Sequence, residues 1–351
     1  MVLYINQSPD QPKPTKTPHT LIAGLLHQQY ILLADGRARI NVPGGNLLFS
    51  AAGYAVWESD LSLGLLARVG KDYPQEWLNY FARRGFDTRG IAVQPEAVDL
   101  RYFIAYPDVR TRVTSDPVPQ FARLGLPFPK ALFGYQDPIP ELDSRTKPLP
   151  VTLRQDEIPA DYLDAGAIHL APIDYITHSF LPVILRQENF TTITIDPSPG
   201  YMHASYFELF PALINGITAF LPSEDEVRNL FYGRTEDLWE MAEALAYFGC
   251  EIIVIKCGLG GQILYDAASH NRWELPAYPN RVVDPTGAGS AFCGGFLAGY
   301  RLTYNPVEAL LHGNISASLA VEGADPFYVL EALSGLPQAR LKAMRDQLHK
   351  V

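Results

Sequence analysis

The sequence predicts an α/β fold: a central, mostly parallel sheet with helices on both faces, plus a small β side sheet acting as a lid. Three observations carry this. Apolar runs of strand length alternate with segments of helical period, the rhythm of β-α-β units. Two stretches of alternating polar and apolar residues stand outside that rhythm. Finally, Val283-Asp284-Pro285-Thr286-Gly287-Ala288-Gly289-Ser290-Ala291-Phe292 reads as a strand ending at Asp284, a glycine turn, and a helix opening near Ala288.

In chain order, Leu21–Gly24 and Leu61–Ala67 are expected as strands flanking a helix over Asn46–Glu58. Strand Ala167–Leu170, helix Ile176–Gln187, strands Thr192–Asp196 and Ala219–Pro222, helix Leu238–Phe248 and strand Ile252–Lys256 follow. Helices Ala288–Tyr300 and Pro306–Glu322 close the core. The whole reads as one domain over 18–351, with lid pieces at 36–43 and 97–115 and a polar extension at 1–17. Within the lid, Arg37–Val42 and Arg101–Val113 are the alternating stretches, and Tyr102, Phe103 and Tyr106 read as packing residues. The proline-rich excursion of 116–160 disfavours helix and central strand alike; it is either a lid or partner-facing segment or a solvated insertion.

The 351 residues are 47% hydrophobic and 19% charged, enough for a full core, and the net charge of −10 argues against nucleic acid as a partner. Cys250, Cys257 and Cys293 lack metal spacing and are expected as reduced thiols. Met1–Thr17 has no signal-peptide core, and the apolar run Leu21–Leu33 is too short to span a bilayer. A cytoplasmic protein without a membrane partner is the expectation.

The glycine turn carries the chemistry. Small residues let backbone approach a ligand, and the free N–H groups of a new helix attract an anion such as phosphate. No Gly-x-x-x-x-Gly-Lys-Ser/Thr loop is present, and Gly287-x-Gly289 lacks the third glycine of a dinucleotide fingerprint. By itself the turn is also an ordinary strand-to-helix junction. Gly258 and Gly260 read equally as a hairpin turn, and Ser223-Glu224-Asp225-Glu226 equally as a capping box.

Taken in order, the motifs resemble the ribokinase/PfkB carbohydrate kinases. They are Gly44-Gly45 leading into a helix, Leu63–Asp72, Arg84-Gly85-Phe86-Asp87-Thr88, Ile168–Pro172, Thr194-Ile195-Asp196-Pro197, Ile255–Gly261 and the Gly-Ala-Gly turn. The resemblance implies a ribokinase-like fold and ATP-dependent phosphoryl transfer to a hydroxyl of a small-molecule acceptor, with Mg2+. It assigns Gly287, Ala288 and Gly289 to the anion hole, and Lys256, Gly258, Gly260 and Asn314 to the nucleotide. It gives Gln29, Gly44, Gly45 and Phe49 to the acceptor, and Glu226 to water around Mg2+. Asp284 and Thr286 match positions that hold a monovalent cation such as K+ in some members. Many relatives also pair as homodimers through the lid, which Arg101–Val113 would serve here unless it stays with its own protomer.

The pattern breaks at four positions: the acid after the first strand is Gln29, an asparagine beyond Gly45 is Phe49, the asparagine of Asn-x-x-Glu is Ser223, and the catalytic base is Ser290. A serine hydroxyl stays protonated without a partner base, and losing a general base costs about 10²- to 10⁴-fold in rate. Two readings follow: a kinase of unusual acceptor, in which Asp284, a water or the acceptor takes the proton, or an inactive relative that binds nucleotide or ligand for regulation. A purely structural subunit has no need of the Gly-Ala-Gly turn.

Overall fold

The structure, a computed structural model, describes residues 17–58, 61–108, 111–136 and 142–351. Most of the expected 1–17 extension lies outside them. The apolar runs form strands as expected, and the chain begins with β1 (Thr20–Ala23), β2 (His27–Leu32), β3 (Ala38–Gly44), α1 (Asn46–Ala55), β4 (Leu63–Gly70), α2 (Gln75–Arg83), β5 (Ile91–Gln94), β6 (Arg101–Ala105) and α3 (Pro117–Arg123). The middle third holds β7 (Ala167–Leu170), α4 (Tyr175–Gln187), β8 (Thr192–Ile195), α5 (Phe210–Ile214), β9 (Ala219–Phe220), α6 (Glu224–Leu230) and α7 (Leu238–Tyr247). It closes with β10 (Ile252–Lys256), β11 (Gln262–Asp266), β12 (Asn271–Leu275), α8 (Ala288–Thr303), α9 (Pro306–Ala320), α10 (Leu336–Arg345) and β13 (His349–Lys350).

Ten strands make one sheet in the order β13-β12-β11-β10-β9-β8-β7-β1-β4-β5. From β10 to β5 every pairing is parallel, while β11, β12 and β13 add an antiparallel edge. Strands such as β1 and β7 are buried along their whole length, as a sheet covered on both faces requires. One face packs against α1, α8 and α9 through Phe292, Phe296, Leu311 and Ile315; the other packs against α4, α5 and α7. Each such wholly buried apolar side chain contributes roughly 1.5–3 kcal/mol.

Helices α1 and α8 cross at contact distance because small residues meet there. A Cβ on Gly53 would lie 2.2 Å from the Ala291 carbonyl oxygen, and one on Gly294 would lie 1.9 Å from that of Ser50. This close crossing brings the start of α1 onto the turn that opens α8.

A separate three-stranded sheet, β3-β2-β6, forms the lid. Its central strand, β2, was not expected, because His27, Gln28 and Gln29 interrupt an otherwise apolar run. Those residues open the strand, and Tyr30–Leu32 are buried. Of Arg101–Val113 only β6 is a strand; Val113 returns as a single bridge to Ala105, and 109–110 lie outside the described residues.

The expectation of no helix in 116–160 is corrected by α3. Pro117 and Pro119 fall in the first turn, where a missing N–H costs nothing. Phe121, Phe128 and Leu132 from this segment cover one lid face, packing with Tyr30, Leu32, Phe103 and Ala105. Farther on, buried Arg68 of β4 donates to the carbonyls of Pro150 (2.9 Å) and Thr152 (3.1 Å) and pairs with Glu157 at 2.8 Å, tying the returning chain to the sheet. Residues 137–141 of the excursion lie outside the described ones.

The strand expected to end at Asp284 is also corrected. Residues 276–285 form no strand; the amides of Val283 and Asp284 instead donate to the carbonyl of Val321, beyond α9. No helix among the described residues is long and apolar enough to cross a membrane.

Candidate active site

Helix α8 opens where the glycines demand. Gly287 sits in the left-handed region at φ 79°, which an L side chain adopts only with strain, and no side chain caps the helix. The amide of Ala288 donates to the Pro285 carbonyl at 3.4 Å, while those of Gly289 and Ser290 find no backbone acceptor among the described residues, and Gly289 is exposed. Ser290 is half-buried, and its hydroxyl has no partner among the described residues. Nothing placed beside it takes its proton.

A buried charge cluster lies against this turn. The Lys256 ammonium, at the end of β10, is 3.7 Å from where a Cβ on Gly289 would be. It donates to Asp196 Oδ1 at 2.6 Å and contacts Cys293 Sγ at 3.5 Å. Burial opposes its charge, but the carboxylates of Asp196 and Glu226 hold its pKa above the ordinary lysine value. Burial raises the carboxyls of Asp196 and Glu226, with Lys256 opposing in both, and the two acids raise Glu226 further by mutual repulsion. Burial also keeps Cys293 a thiol. Beneath the cluster, His169 is held neutral: burial and the Lys256 charge push its pKa down to about 3. Its Nδ1 meets the Thr194 hydroxyl at 2.9 Å, while Nε2 is buried without a partner.

Glu226 closes a capping box on α6, accepting from the Ser223 amide at 2.6 Å while its own amide donates to Ser223 Oγ at 3.4 Å. No group of three acids, histidines or cysteines suited to direct metal ligation occurs among the described residues. Glu226 beside Asp196 fits a metal held through water.

The other calls from sequence fall in three places. Phe49 is buried and lies against the glycine turn: a Cβ on Gly287 would be 2.1 Å from its ring. Gln29 is buried against Gly44, where a Cβ would be 1.9 Å from Oε1, and that oxygen has no hydrogen-bond partner. Gly45, with φ 110°, is the N-cap of α1. Gly258 and Gly260 form the turn between β10 and β11, with open space above Gly258. Asn314 is buried on α9, and its amide donates to Gln262 (2.8 Å) and to the carbonyl of Pro276 (2.9 Å), which leaves only Oδ1 unpaired.

Asp284 and Thr286 meet the lid. Asp284 Oδ1 accepts from the Thr286 amide at 2.9 Å, and Oδ2 pairs with Arg39 of β3 at 3.3 Å. The Thr286 hydroxyl is 3.1 Å from that of Tyr106, just beyond β6. Burial raises the Asp284 pKa, opposed by Thr286 and Arg39. Arg39 was not singled out from the sequence, and Tyr106, Asp196 and Cys293 were named there without a site role. Asp196 had a signal, since its Asp-Pro step was already a quoted motif; Arg39 sits 245 residues from its partner and had none.

The site thus joins a mostly parallel α/β sheet, a three-stranded lid that meets Asp284 and Thr286, and a helix start without a side-chain cap beside a buried lysine. The pfkB family carbohydrate kinase model matches residues 151–329, just over half the sequence, and the chain belongs to that family. It is 28% identical to the cytidine kinase of Thermococcus kodakarensis over 284 residues, 80% of this chain and 87% of that one. The fold is ribokinase-like. An Escherichia coli protein described as a ribokinase II, solved with ATP and Mg2+, superposes with TM-score 0.65 at 18% identity, covering 93% of this chain and 99% of its own. The nucleoside kinase of Burkholderia thailandensis, solved with inosine, gives TM-score 0.64 at 17% identity over 93% of this chain and 98% of its own.

Proposed function

We propose that the chain transfers a phosphoryl group from ATP to a hydroxyl of a nucleoside-like acceptor. The observation that carries this is the uncapped start of α8 beside Lys256. There the unpaired amides of Gly289 and Ser290 would face the charge of a transferring phosphoryl group, and the Lys256 ammonium stands next to them. Asp196 holds that ammonium in place. Glu226 would orient water on a Mg2+ ion, whose part when bound is to neutralise phosphate charge. Turnover with a protonated Ser290 is tenable because a loose transition state needs little proton transfer before the bond to the leaving group breaks.

Two features favour a nucleoside over a bare sugar. The buried Gln29 Oε1 lacks a donor, which a ribose hydroxyl would supply without the charge of an acid. Beside it the lid offers aromatic surface: His27 and Tyr102 stack with centroids 4.8 Å apart. The cytidine kinase relative and the inosine-bound fold neighbour agree with that class.

One observation favours a second reading, binding without turnover: the partnerless Ser290 lies on a turn whose first glycine is covered by Phe49. Calorimetric binding of ATP with Mg2+ and a coupled assay with cytidine, inosine, ribose and fructose, on the native chain and on Ser290→Asp, separate the two. Turnover by the native chain supports the kinase. Turnover only after Ser290→Asp, with about 10²- to 10⁴-fold gain, supports the binding protein. No nucleotide binding to either form defeats both.

A further inference from the structure

We propose that Arg39 is a positioning residue: carried by the lid, it sets the anion-binding turn and supplies the positive charge that Asp284 requires, so that no inorganic cation is needed there. Asp284 is buried at the bend leading into α8, and both its oxygens are already engaged. Oδ1 fixes the Thr286 amide within the turn. Oδ2 meets the guanidinium of Arg39, whose side chain is itself only 15% exposed. A carboxylate in such a place needs a charge partner; Arg39 is the one in contact, Arg37 adds a more distant charge, and both belong to the lid.

A second lid contact is independent of the first. The Tyr106 hydroxyl reaches the Thr286 hydroxyl from just past the end of the other lid edge strand. Strands β3 and β6 flank β2 on opposite sides, so the lid holds the Asp284–Thr286 bend at two points. Lifting the lid would leave Asp284 without its cation and Thr286 without its hydroxyl partner, just ahead of the amides that face phosphate. The donor set that resemblance assigns to K+ is therefore already occupied by protein groups. The consequence is a site whose phosphate side is ordered when the lid is down and loosened when it lifts.

The inference rests on the proposed function only in placing phosphate at this turn, and its test runs without nucleotide. Amide hydrogen exchange is followed on the native chain, Arg39→Ala, Arg39→Lys and Tyr106→Phe. In Arg39→Ala, peptides covering 38–44 and 282–290 should exchange together roughly 10- to 100-fold faster, the loss expected for a partly buried, charge-assisted bond. Peptides from β7 to β10 should not change. Arg39→Lys, which keeps the charge, should restore much of the protection at 282–290. Tyr106→Phe, which removes one hydroxyl and leaves the ring, should loosen both segments to a smaller extent and covers the case in which Arg39→Ala misfolds. Exchange at 282–290 that stays native while 38–44 loosens would overturn the proposal. So would protection of 282–290 in the native chain on replacing choline chloride with potassium chloride. A native chain with no kinase turnover would sink the proposed function and leave this result standing.

Discussion

Placing a methyl group on Gly287 tests the packing at the centre of the site. The backbone there is at φ 79°, and an alanine Cβ would lie 2.1 Å from Phe49 Cγ and 2.3 Å from both Cδ atoms. The left-handed conformation costs an L residue about 1–2 kcal/mol. Forcing the ring aside adds about 1–3 kcal/mol, since Phe49 is only 4% exposed and backed by α1. Gly287→Ala should thus destabilise by about 2–5 kcal/mol. Phe49→Ala alone should cost about 3–5 kcal/mol through the cavity it leaves. In the double variant the clash is gone and only the backbone term remains, so the two costs should fall short of additivity by about 1–3 kcal/mol. Urea unfolding of the four proteins measures this directly. Additivity within about 0.5 kcal/mol would show that Phe49 does not rest on Gly287, and the packing described for the turn would fail.

Two further outcomes follow from the buried charges. Lys256→Met should cost about 3–5 kcal/mol, because Asp196 is left charged and unpaired; adding Asp196→Leu should recover most of the loss in thermal unfolding. His169 and His178 are fully buried, and burial lowers their pKa values to about 3 and about 4. Both are neutral in the fold and take up protons on unfolding once the pH is below about 6.5, so the stability present above that value is lost as pH falls. The loss is roughly 1.4 kcal/mol per pH unit for each histidine. Chemical unfolding between pH 7 and pH 5 should show that slope, and a shallower slope after His169→Gln with His178→Gln, with the buried His27 still contributing, would tie the difference to these side chains.

The central sheet was legible because its strands are buried on both faces: the apolar runs of β7 and β10 are read directly, with the observed limits. The start of α8 was legible for a different reason, since glycine at a left-handed N-cap is a local demand of the backbone. Other elements carried weaker signals. Strand β12, Asn271–Leu275, is half polar and gains its place from pairing with β11 on an edge. Helix α3 was obscured by the very prolines that begin it. Within the site, the glycines and Lys256 came from motifs, but the lid contacts did not. Arg39 lies on a short strand and Tyr106 just past the end of another, and local sequence does not say what either one meets. The seat of Phe49 depends on the Gly53–Gly294 crossing of α1 and α8, which no local pattern announces.

The outer lid face, closed by Phe121, Phe128 and Leu132, sets how this surface can change over time. A face shared between two copies must complement itself, so each substitution acts twice across a two-fold axis. Here the cover is tethered to the same chain: Arg101 donates to the carbonyls of Ala131 at 2.8 Å and Phe133 at 3.1 Å. Its effective concentration is fixed by the linker, so we expect an unfolding midpoint that does not move with dilution, and a midpoint that climbs with protein concentration would count against it. Freed from self-complementarity, Tyr30, Phe103 and Phe121 answer only to one another, and that patch can drift as a small private core.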